Sequence, residues 1–190
     1  SGAILVAAAT TAVIMALGGL GAAFAGTTYG SHSTGMTTPT KGDASKTLGL
    51  ARPSALQAGD LMLAQVTFEK GSDAGTNAQL TPVGWTLVMR TNRLTDLGQA
   101  VFYRVASGTE PASYTFPFHQ AVKAAGAILR YQGVDTANPI VGAAGAAGDS
   151  STLTAPSVSA EPDSRLVSLF GFKKKSTTLS VPSGMTGRYN

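Results

Sequence analysis

The sequence predicts a mainly β protein, in which an antiparallel β-sandwich follows one long apolar N-terminal α-helix. Two observations indicate the sandwich. After residue 50, apolar and polar residues alternate in short runs, and Gly or Pro turns separate these runs at nearly regular spacing. A third observation indicates the helix, because residues 1–30 contain no charged side chain. We therefore expect three parts: an apolar helix over 1–30, a linker or extended arm over 31–50, and the sandwich over 51–190.

The apolar segment is the first element. At about 1.5 Å per residue, a helix over residues 3–25 is about 35 Å long, enough to cross a bilayer core of ~30 Å. Its large apolar residues point in every direction around a helix, so it must be buried on all sides, in lipid or among protein neighbours. The residues expected to carry assembly through this helix are Ile4, Leu5, Val6, Val13, Ile14, Leu17, Leu20 and Phe24.

Three interpretations of this segment compete. Ala23-Phe24-Ala25 fits the small-x-small site of a secretory signal peptide, although no basic region precedes the apolar run. The second interpretation is a membrane anchor. The third is a filament core helix, because the apolar start resembles that of type IV pilin-like subunits. Leu5 stands where bacterial pilins carry a Glu, so the resemblance is to archaeal-type pilins, which join such a helix to a small β-sandwich.

Composition limits the partners. The chain of 190 residues has a formal net charge of +4, 13% charged residues and no cysteine, so disulfides and thiolate chemistry are excluded. A basic run, Lys173 to Lys175, predicts a solvated hairpin tip or strand end, with an anionic surface polymer or lipid headgroup as the alternative contact. Basic residues interleaved with exposed aromatics are not evident, so we expect no nucleic-acid partner.

Period-two alternation predicts most of the strands. We expect strands over residues 61–70, 85–90, 99–106, 114–118 and 122–131, with Trp85, Leu87 and Met89 on one face of the second. Residues 134–151 are expected to be loop, followed by a short strand over 153–159. Residues 165–172 are apolar on both faces and should form a central strand, and 179–181 a short last strand. Trp85, Tyr103 and Phe170 are the expected core aromatics.

The part from about residue 51 onward also resembles a β-sandwich module that recurs in bacterial surface and phage proteins. The marks of this resemblance are Gly59-Asp60, Gly84-Trp85-Thr86, Tyr103-Arg104-Val105-Ala106 and Tyr131-Gln132-Gly133-Val134-Asp135. It implies an immunoglobulin-like or jelly-roll sandwich used for display or binding, with no enzymatic role. In that pattern the chain continues beyond Gly184-Met185-Thr186, so we expect either a truncated chain or a sheet completed by a neighbouring subunit.

No motif for catalysis or cofactor binding stands out. Nucleophile-elbow, P-loop, zinc-protease and calcium-loop patterns are not found, and the carboxylates are scattered singly. His32 and His119 are expected at solvated or strand-end positions. We therefore expect no enzyme, cofactor or metal.

The sequence favours a structural subunit of an extracellular filament, a homopolymer joined through the helix, which is membrane-bound before assembly. The alternative is a membrane-anchored or secreted, non-enzymatic module for binding or adhesion at the cell surface. We also expect the arm, or a neighbour's terminus, to pair along an open edge of the sandwich.

Overall fold

The computed structural model describes residues 10–19, 26–37, 43–149, 155–173 and 183–189. Within these ranges the chain is mainly β, and all strand pairs are antiparallel, as predicted. A 3-10 turn over Gly71–Ala74 and a one-turn helix α1 over Asn77–Leu80 lie between strands. The strands are β1 Thr10–Leu17, β2 Thr28–Met36, β3 Ser45–Ala51, β4 Leu61–Glu69, β5 Thr86–Arg93, β6 Leu97–Val105, β7 Ser113–Val122, β8 Ala124–Gln132, β9 Ile140–Gly148 and β10 Arg165–Phe172.

The apolar segment is not the predicted helix where the structure describes it, because Thr10–Leu17 is strand β1. An all-round apolar pattern fits a strand covered on both faces as well as it fits a buried helix. The β-branched side chains of Thr11, Val13 and Ile14 favour the strand. The helix prediction over 10–17 is therefore wrong. It is also wrong over 18–19 and 26–30, where no helix forms and β2 begins, and residues 1–9 and 20–25 lie outside the described residues.

A five-stranded sheet, in the order β2-β8-β4-β6-β5, forms the centre of the fold. Its middle strand β4 begins after a turn at Gly59, whose φ of 85° suits a residue without a side chain. Alternate residues of β4 then enter two different cores on the two faces of the sheet. Leu61 and Leu63 enter one, while Met62, Ala64, Val66 and Phe68 enter the other. Burial on both faces explains why β4 is apolar along most of its length.

The first core lies between the central sheet and a two-stranded sheet of β3 and β7. Leu48 and Leu50 of β3 are buried here together with Phe116 and Phe118 of β7. The ring of Phe116 packs against that of Phe102 on β6, and the ring of Phe118 against that of Phe68 on β4. Trp85, at the entrance to β5, packs edge-on against Tyr114 with 5.2 Å between ring centroids. The expectation that Trp85 is a core residue is confirmed, since it is 6% exposed.

The second core lies between the other face of the central sheet and a three-stranded sheet in the order β10-β1-β9. Tyr103 packs partly buried against this core, but Phe170 of β10 is only half-buried and is not part of it. Val88 and Met89 of β5 face this core while Leu87 faces the first one. The predicted common face of Leu87 and Met89 is thus wrong, because the strand shifts register between them.

Three further predictions about the late part of the chain are wrong. Residues 140–148, expected as loop, form β9, although their Gly and Ala residues have little intrinsic strand preference. Strand β10 was expected to be central but is the outer strand of its sheet in the described part of the chain. The short strand expected over 153–159 is not formed in its described part, residues 155–159. Residues 153–154 and the predicted last strand over 179–181 lie outside the described ranges.

The predicted arm over residues 31–50 includes much of β2 and β3. Strand β2 pairs with β8 and forms one edge of the central sheet, and β3 pairs with β7, so the arm pairs within its own chain. The glycine Gly35 lets β2 lie close above β3, since a Cβ there would be 2.8 Å from the carbonyl oxygen of Gly49. Strands before and after residue 51 therefore share the same sheets.

Candidate assembly site

Strand β1 is the middle strand of the three-stranded sheet, and it is what joins β9 to β10. On one side it pairs with β10, from Thr10 opposite Phe172 to Leu17 opposite Arg165. On the other side it pairs with β9, from Thr10 opposite Gly148 to Leu17 opposite Ile140, with a bulge at Ala16 and Leu17. The two outer strands are not paired with each other in the described chain. Without β1, both would present an open edge.

The side chains of β1 are deeply buried. Val13, Met15 and Leu17 have no exposed surface and belong to the second core, which also contains residues of β4, β6 and β8. Ile14 lies on the opposite face and is half-buried. Of the residues predicted to carry assembly, the structure therefore brings Val13, Ile14 and Leu17 into one sheet. The remaining five, Ile4, Leu5, Val6, Leu20 and Phe24, lie outside the described residues.

Hydrogen bonds hold the end of β1 against the loop that precedes β9. The N–H of Gly18 donates to the carbonyl of Pro139, and the N–H of Asp135 donates to the carbonyl of Gly18, both at 3.1 Å. The Thr27 hydroxyl also donates to the Gly18 carbonyl, at 3.4 Å. A Cβ at Gly18 would be 2.5 Å from the carbonyl oxygen of Asn138, so this close approach requires glycine.

A polar layer lies inside the second core, at the other end of β1. Gln65 of β4 donates to the carbonyl of Phe170 at 3.0 Å, and Gln99 of β6 donates to the carbonyl of Leu169 at 3.2 Å. Within the described chain, the hydroxyl of Thr11 and the side-chain oxygen of Gln99 are buried without a hydrogen-bond partner. Burying a polar atom without a hydrogen-bond partner costs free energy, so these two atoms destabilise the contact between the sheets.

Gln65 and Gln99 were not predicted as functional residues, although the sequence carries a signal for them. Each is a long polar residue in a strand that is otherwise buried on both faces, LMLAQVTFE and LGQAVFYRV. A polar residue in such a run needs a hydrogen-bond partner from another element. Here that partner is the backbone of β10.

The C-terminal segment over residues 183–189 packs beside the same layer. The hydroxyl of Tyr189 donates to the side-chain oxygen of Gln65, and its ring lies 5.6 Å from that of His32. His32 contacts the hydroxyl of Tyr29 through Nδ1, at 2.6 Å. Burial raises the pKa of Tyr189, and burial likewise raises the pKa of Tyr131 in the second core to about 12. Both phenols are therefore neutral at physiological pH.

Charged side chains join the sheets at one end. Arg93 of β5 pairs with Asp149, which follows β9, and its hydrogen bond to that carboxylate raises the pKa of Arg93. Asp96 pairs with Lys173, which follows β10. Lys173, predicted as an anionic contact, is thus engaged within the chain, while Lys174 and Lys175 lie outside the described residues. Because these side chains are substantially exposed, the pairs contribute little to stability.

Other polar clusters stabilise loops. Asp60 and Arg130 form a buried ion pair beneath the turn before β4, with side chains 7% and 8% exposed. Arg90 donates to the carbonyl of Gly71 at 2.7 Å, which ties β5 to the 3-10 turn. His119 contacts Gln79 at 3.1 Å and is exposed, as expected for a strand-surface position. Each cluster satisfies backbone or side-chain partners that the loops would otherwise leave unpaired.

No family model, curated protein or solved structure matches the chain. Among the described residues, no group of three or more His, Asp and Glu side chains is arranged to hold a metal ion. In the same ranges, no helix has the length and hydropathy needed to cross a bilayer.

A groove of about 390 Å³ lies beside the first core. Its lining residues are Thr81, Pro82, Val83, Trp85, Ser113, Tyr114, Thr115 and Pro117. Val83 at its rim is fully exposed, but Trp85 and Tyr114 are only 6% and 7% exposed. The two aromatic rings therefore belong to the core and provide little surface on which a ligand could stack.

Proposed function

We propose that this protein is a structural, non-enzymatic subunit of an extracellular assembly, a homopolymer displayed at the cell surface. The observation that carries the proposal is the position of the uncharged N-terminal segment, because Thr10–Leu17 is the middle strand of a β-sheet. A segment of this kind joins sheet edges through main-chain hydrogen bonds, which is a recurrent way for surface proteins to join subunits.

The chemistry of the described residues supports the same proposal. The charged side chains at the sheet ends and in the loops bond to neighbouring strands and loop carbonyls, as Arg90 does with Gly71 and Arg93 with Asp149. The exposed positions of β2 carry no Lys, Arg, Asp or Glu, and they are Thr28, Gly30, His32, Thr34 and Met36. Such a surface suits packing against further copies more than it suits a reaction. The stacked sheets also support a sandwich; its immunoglobulin-like or jelly-roll class stays a prediction.

The proposed route of assembly differs from the one that the sequence suggested. Residues 10–17 do not form a polymerising helix, so the contact between subunits is proposed to involve strands instead. Passage through a membrane before assembly stays part of the proposal for the whole chain. A contact of the basic run with an anionic surface polymer also stays a proposal, although Asp96 already pairs with Lys173.

The test is sedimentation velocity and electron microscopy of the wild-type chain and of Val13→Asp. Wild type should form species larger than the monomer, and Val13→Asp should remain monomeric, because an unpaired buried charge costs several kcal/mol. Trp85, the single tryptophan, lies in the first core and reports separately whether that core is intact. Val83→Asp, at a fully exposed position, is the matched control and should assemble like wild type.

A monomeric wild-type chain at every concentration would contradict the proposal. It would favour the second candidate, a secreted or membrane-anchored module for binding or adhesion. The groove beside Pro82, Val83 and Pro117 is the observation that supports this candidate. Its buried aromatic rings make it the weaker of the two.

A further inference from the structure

We propose that β1 is exchanged between copies of this chain, so that β1 of one subunit lies between β9 and β10 of the next. The inference rests on the proposed function, since it identifies the contact through which the subunits join. The occupant is a second copy of the same chain, because the cleft between β9 and β10 already fits this sequence in this register.

The position of β1 permits the exchange. The nine other strands that the structure describes all follow β1 in the chain, so β1 can leave the sheet without withdrawing any of them. Residues 18–27 connect it to β2, and this stretch contains Gly18, Gly19, Gly21 and Gly26. Gly18 and Gly19 keep their contacts when they move with β1, and Thr27 stays bonded to Gly133, so only residues 20–26 have to extend. Seven residues span at most ~23–25 Å, about the width of a five-stranded sheet, so a second copy whose cleft lies within that distance can accept β1.

Exchange conserves the contacts that hold β1. The same hydrogen bonds to β9 and β10 form whether the strand comes from the same chain or from a second one. The burial of Val13, Met15 and Leu17 is likewise unchanged. The two arrangements differ mainly in the connection, which is the condition under which identical elements exchange between protomers at low cost. When each subunit donates to the next and accepts from the previous one, the result is an open series.

Two features of the cleft favour opening. Strand β9 reads IVGAAGAAG, and a Gly-rich, small-residue strand specifies its pairing weakly and is prone to alternate pairing. The polar layer also leaves the Thr11 hydroxyl and the Gln99 side-chain oxygen without partners among the described residues. Both are buried where β1 and β10 meet the central sheet, so separating these elements returns the two atoms to water.

The absence of cysteine in this chain makes a disulfide test unambiguous. Ile14 of β1 is opposite Ser168 of β10, and both are half-buried. Opposite residues have Cβ atoms about 4.5–5.5 Å apart, close to the spacing of a disulfide. The variant carries Ile14→Cys and Ser168→Cys. After oxidation of the assembled protein, denaturing gels without reductant should show a ladder of covalent multimers, which collapses to monomer on reduction.

The matched control carries Thr28→Cys and Gln132→Cys, which are opposite each other on β2 and β8 and are both exposed. Because β2 stays in its own chain, this pair should give only internally bonded monomer. The same ladder from the control pair would overturn the proposal, because the cross-links would then come from random collisions.

Sedimentation of the same samples separates failure of this inference from failure of the proposed function. Large assemblies in which the disulfide between positions 14 and 168 stays within one chain, so that the denatured protein runs as a monomer, would overturn the exchange and leave the proposed function standing. Monomers with an internal bond would overturn both.

A mixing experiment provides a second measurement of the exchange. The single variants Ile14→Cys and Ser168→Cys are mixed, with one of them isotopically labelled. A mixed dimer bonded between the two positions supports the exchange, because each chain then contributes one side of the pair. Its absence from assembled material overturns the exchange.

Discussion

Glu110, in the loop between β6 and β7, shows how one side chain fixes a turn in this protein. Its carboxylate accepts hydrogen bonds from the N–H of Ser107 at 2.7 Å and the hydroxyl of Tyr114 at 2.8 Å, and it pairs with Arg104 at 3.1 Å. Burial acts to raise the pKa of Glu110, but the bonds from Ser107, Tyr114 and Arg104 outweigh it and lower that pKa to about 2. Glu110 is thus ionised down to strongly acidic pH.

This lowered pKa predicts the direction in which the contribution of Glu110 to stability changes with pH. A carboxyl whose folded pKa lies below its unfolded value of 4.5 stabilises the fold above that value, and this stabilisation is lost as the pH falls toward about 2. Glu110→Gln should therefore reduce the free energy of unfolding at pH 7 by about 1–3 kcal/mol, because Arg104 loses its charged partner. The deficit should shrink as the pH falls below 4.5. Urea unfolding of both proteins at several pH values measures it.

Glu161→Gln is the matched control for Glu110→Gln, since Glu161 is exposed. Because it makes no buried contact, Glu161→Gln should leave the free energy of unfolding at pH 7 nearly unchanged. A deficit for Glu110→Gln that stays constant from neutral to strongly acidic pH would contradict the assignment of the carboxylate as the charged acceptor.

Trp85 gives a second prediction at the residue scale. Its ring lies 5.2 Å from that of Tyr114 and 5.4 Å from that of Phe116 in the first core. Trp85→Ala should cost about 3–5 kcal/mol of stability. Trp85→Phe should cost clearly less, because it keeps an aromatic ring and removes the Nε1 donor, which has no partner in the described chain. Urea unfolding followed by far-UV circular dichroism compares the two. Equal losses of stability in the two variants would contradict the buried position of the Trp85 ring and its unpaired Nε1 donor.

At the residue scale, the sequence predicted the core residues correctly where the alternation of apolar and polar residues alone determines which side chains are buried. Trp85 and the alternating residues of β4 and β6 lie in the cores because apolar residues in a period-two pattern have few other places to go. The prediction that Phe170 lies in the core was wrong, because the position of β10 in its sheet decides which of its side chains are covered. The hydrogen-bond partners of Gln65 and Gln99 could not be predicted either, because each side chain bonds to a strand about 70 residues or more away in the sequence.

At the scale of elements, two glycines in the connection from β1 to β2, Gly18 and Gly26, should respond differently to substitution. A Cβ at Gly18 would be 2.5 Å from the backbone oxygen of Asn138, whereas a Cβ at Gly26 meets nothing within 4 Å. Gly18→Ala should therefore push β1 away from the loop before β9 and lower the unfolding midpoint. Gly26→Ala should leave it nearly unchanged. Thermal unfolding of both variants measures the difference, and equal midpoints would contradict the described position of Gly18.

Among the elements, β1 and β9 could not be predicted because their partners decide their structure. The apolar pattern of residues 10–17 suits a buried helix or a buried strand, and its pairing with β9 and β10 selects the strand. The Gly and Ala residues of β9 have little strand preference, and pairing with β1 makes them a strand. The sequence showed no sign of either pairing, because each joins segments more than 120 residues apart.

At the scale of the whole molecule, two sheets cover the central sheet in different ways. Strands β3 and β7 pair directly with each other over the first core. Over the second core, β9 and β10 depend on β1 between them, and the polar layer lies beneath that sheet. Leu166 of β10 is also 46% exposed. We therefore expect the three-stranded sheet to open at a lower free energy than the rest of the fold.

Native-state hydrogen exchange measures this difference strand by strand. Amides of β1, β9 and β10 should share one opening free energy below that of β4 and β8, because losing β1 releases all three strands at once. Amides in β3 and β7, which form the other covering sheet, should exchange only when β4 does. If the amides of β1 exchange only on global unfolding, at the same free energy as those of β4, then no partly open form exists. The strand exchange proposed above would then lack the intermediate through which β1 leaves its own sheet.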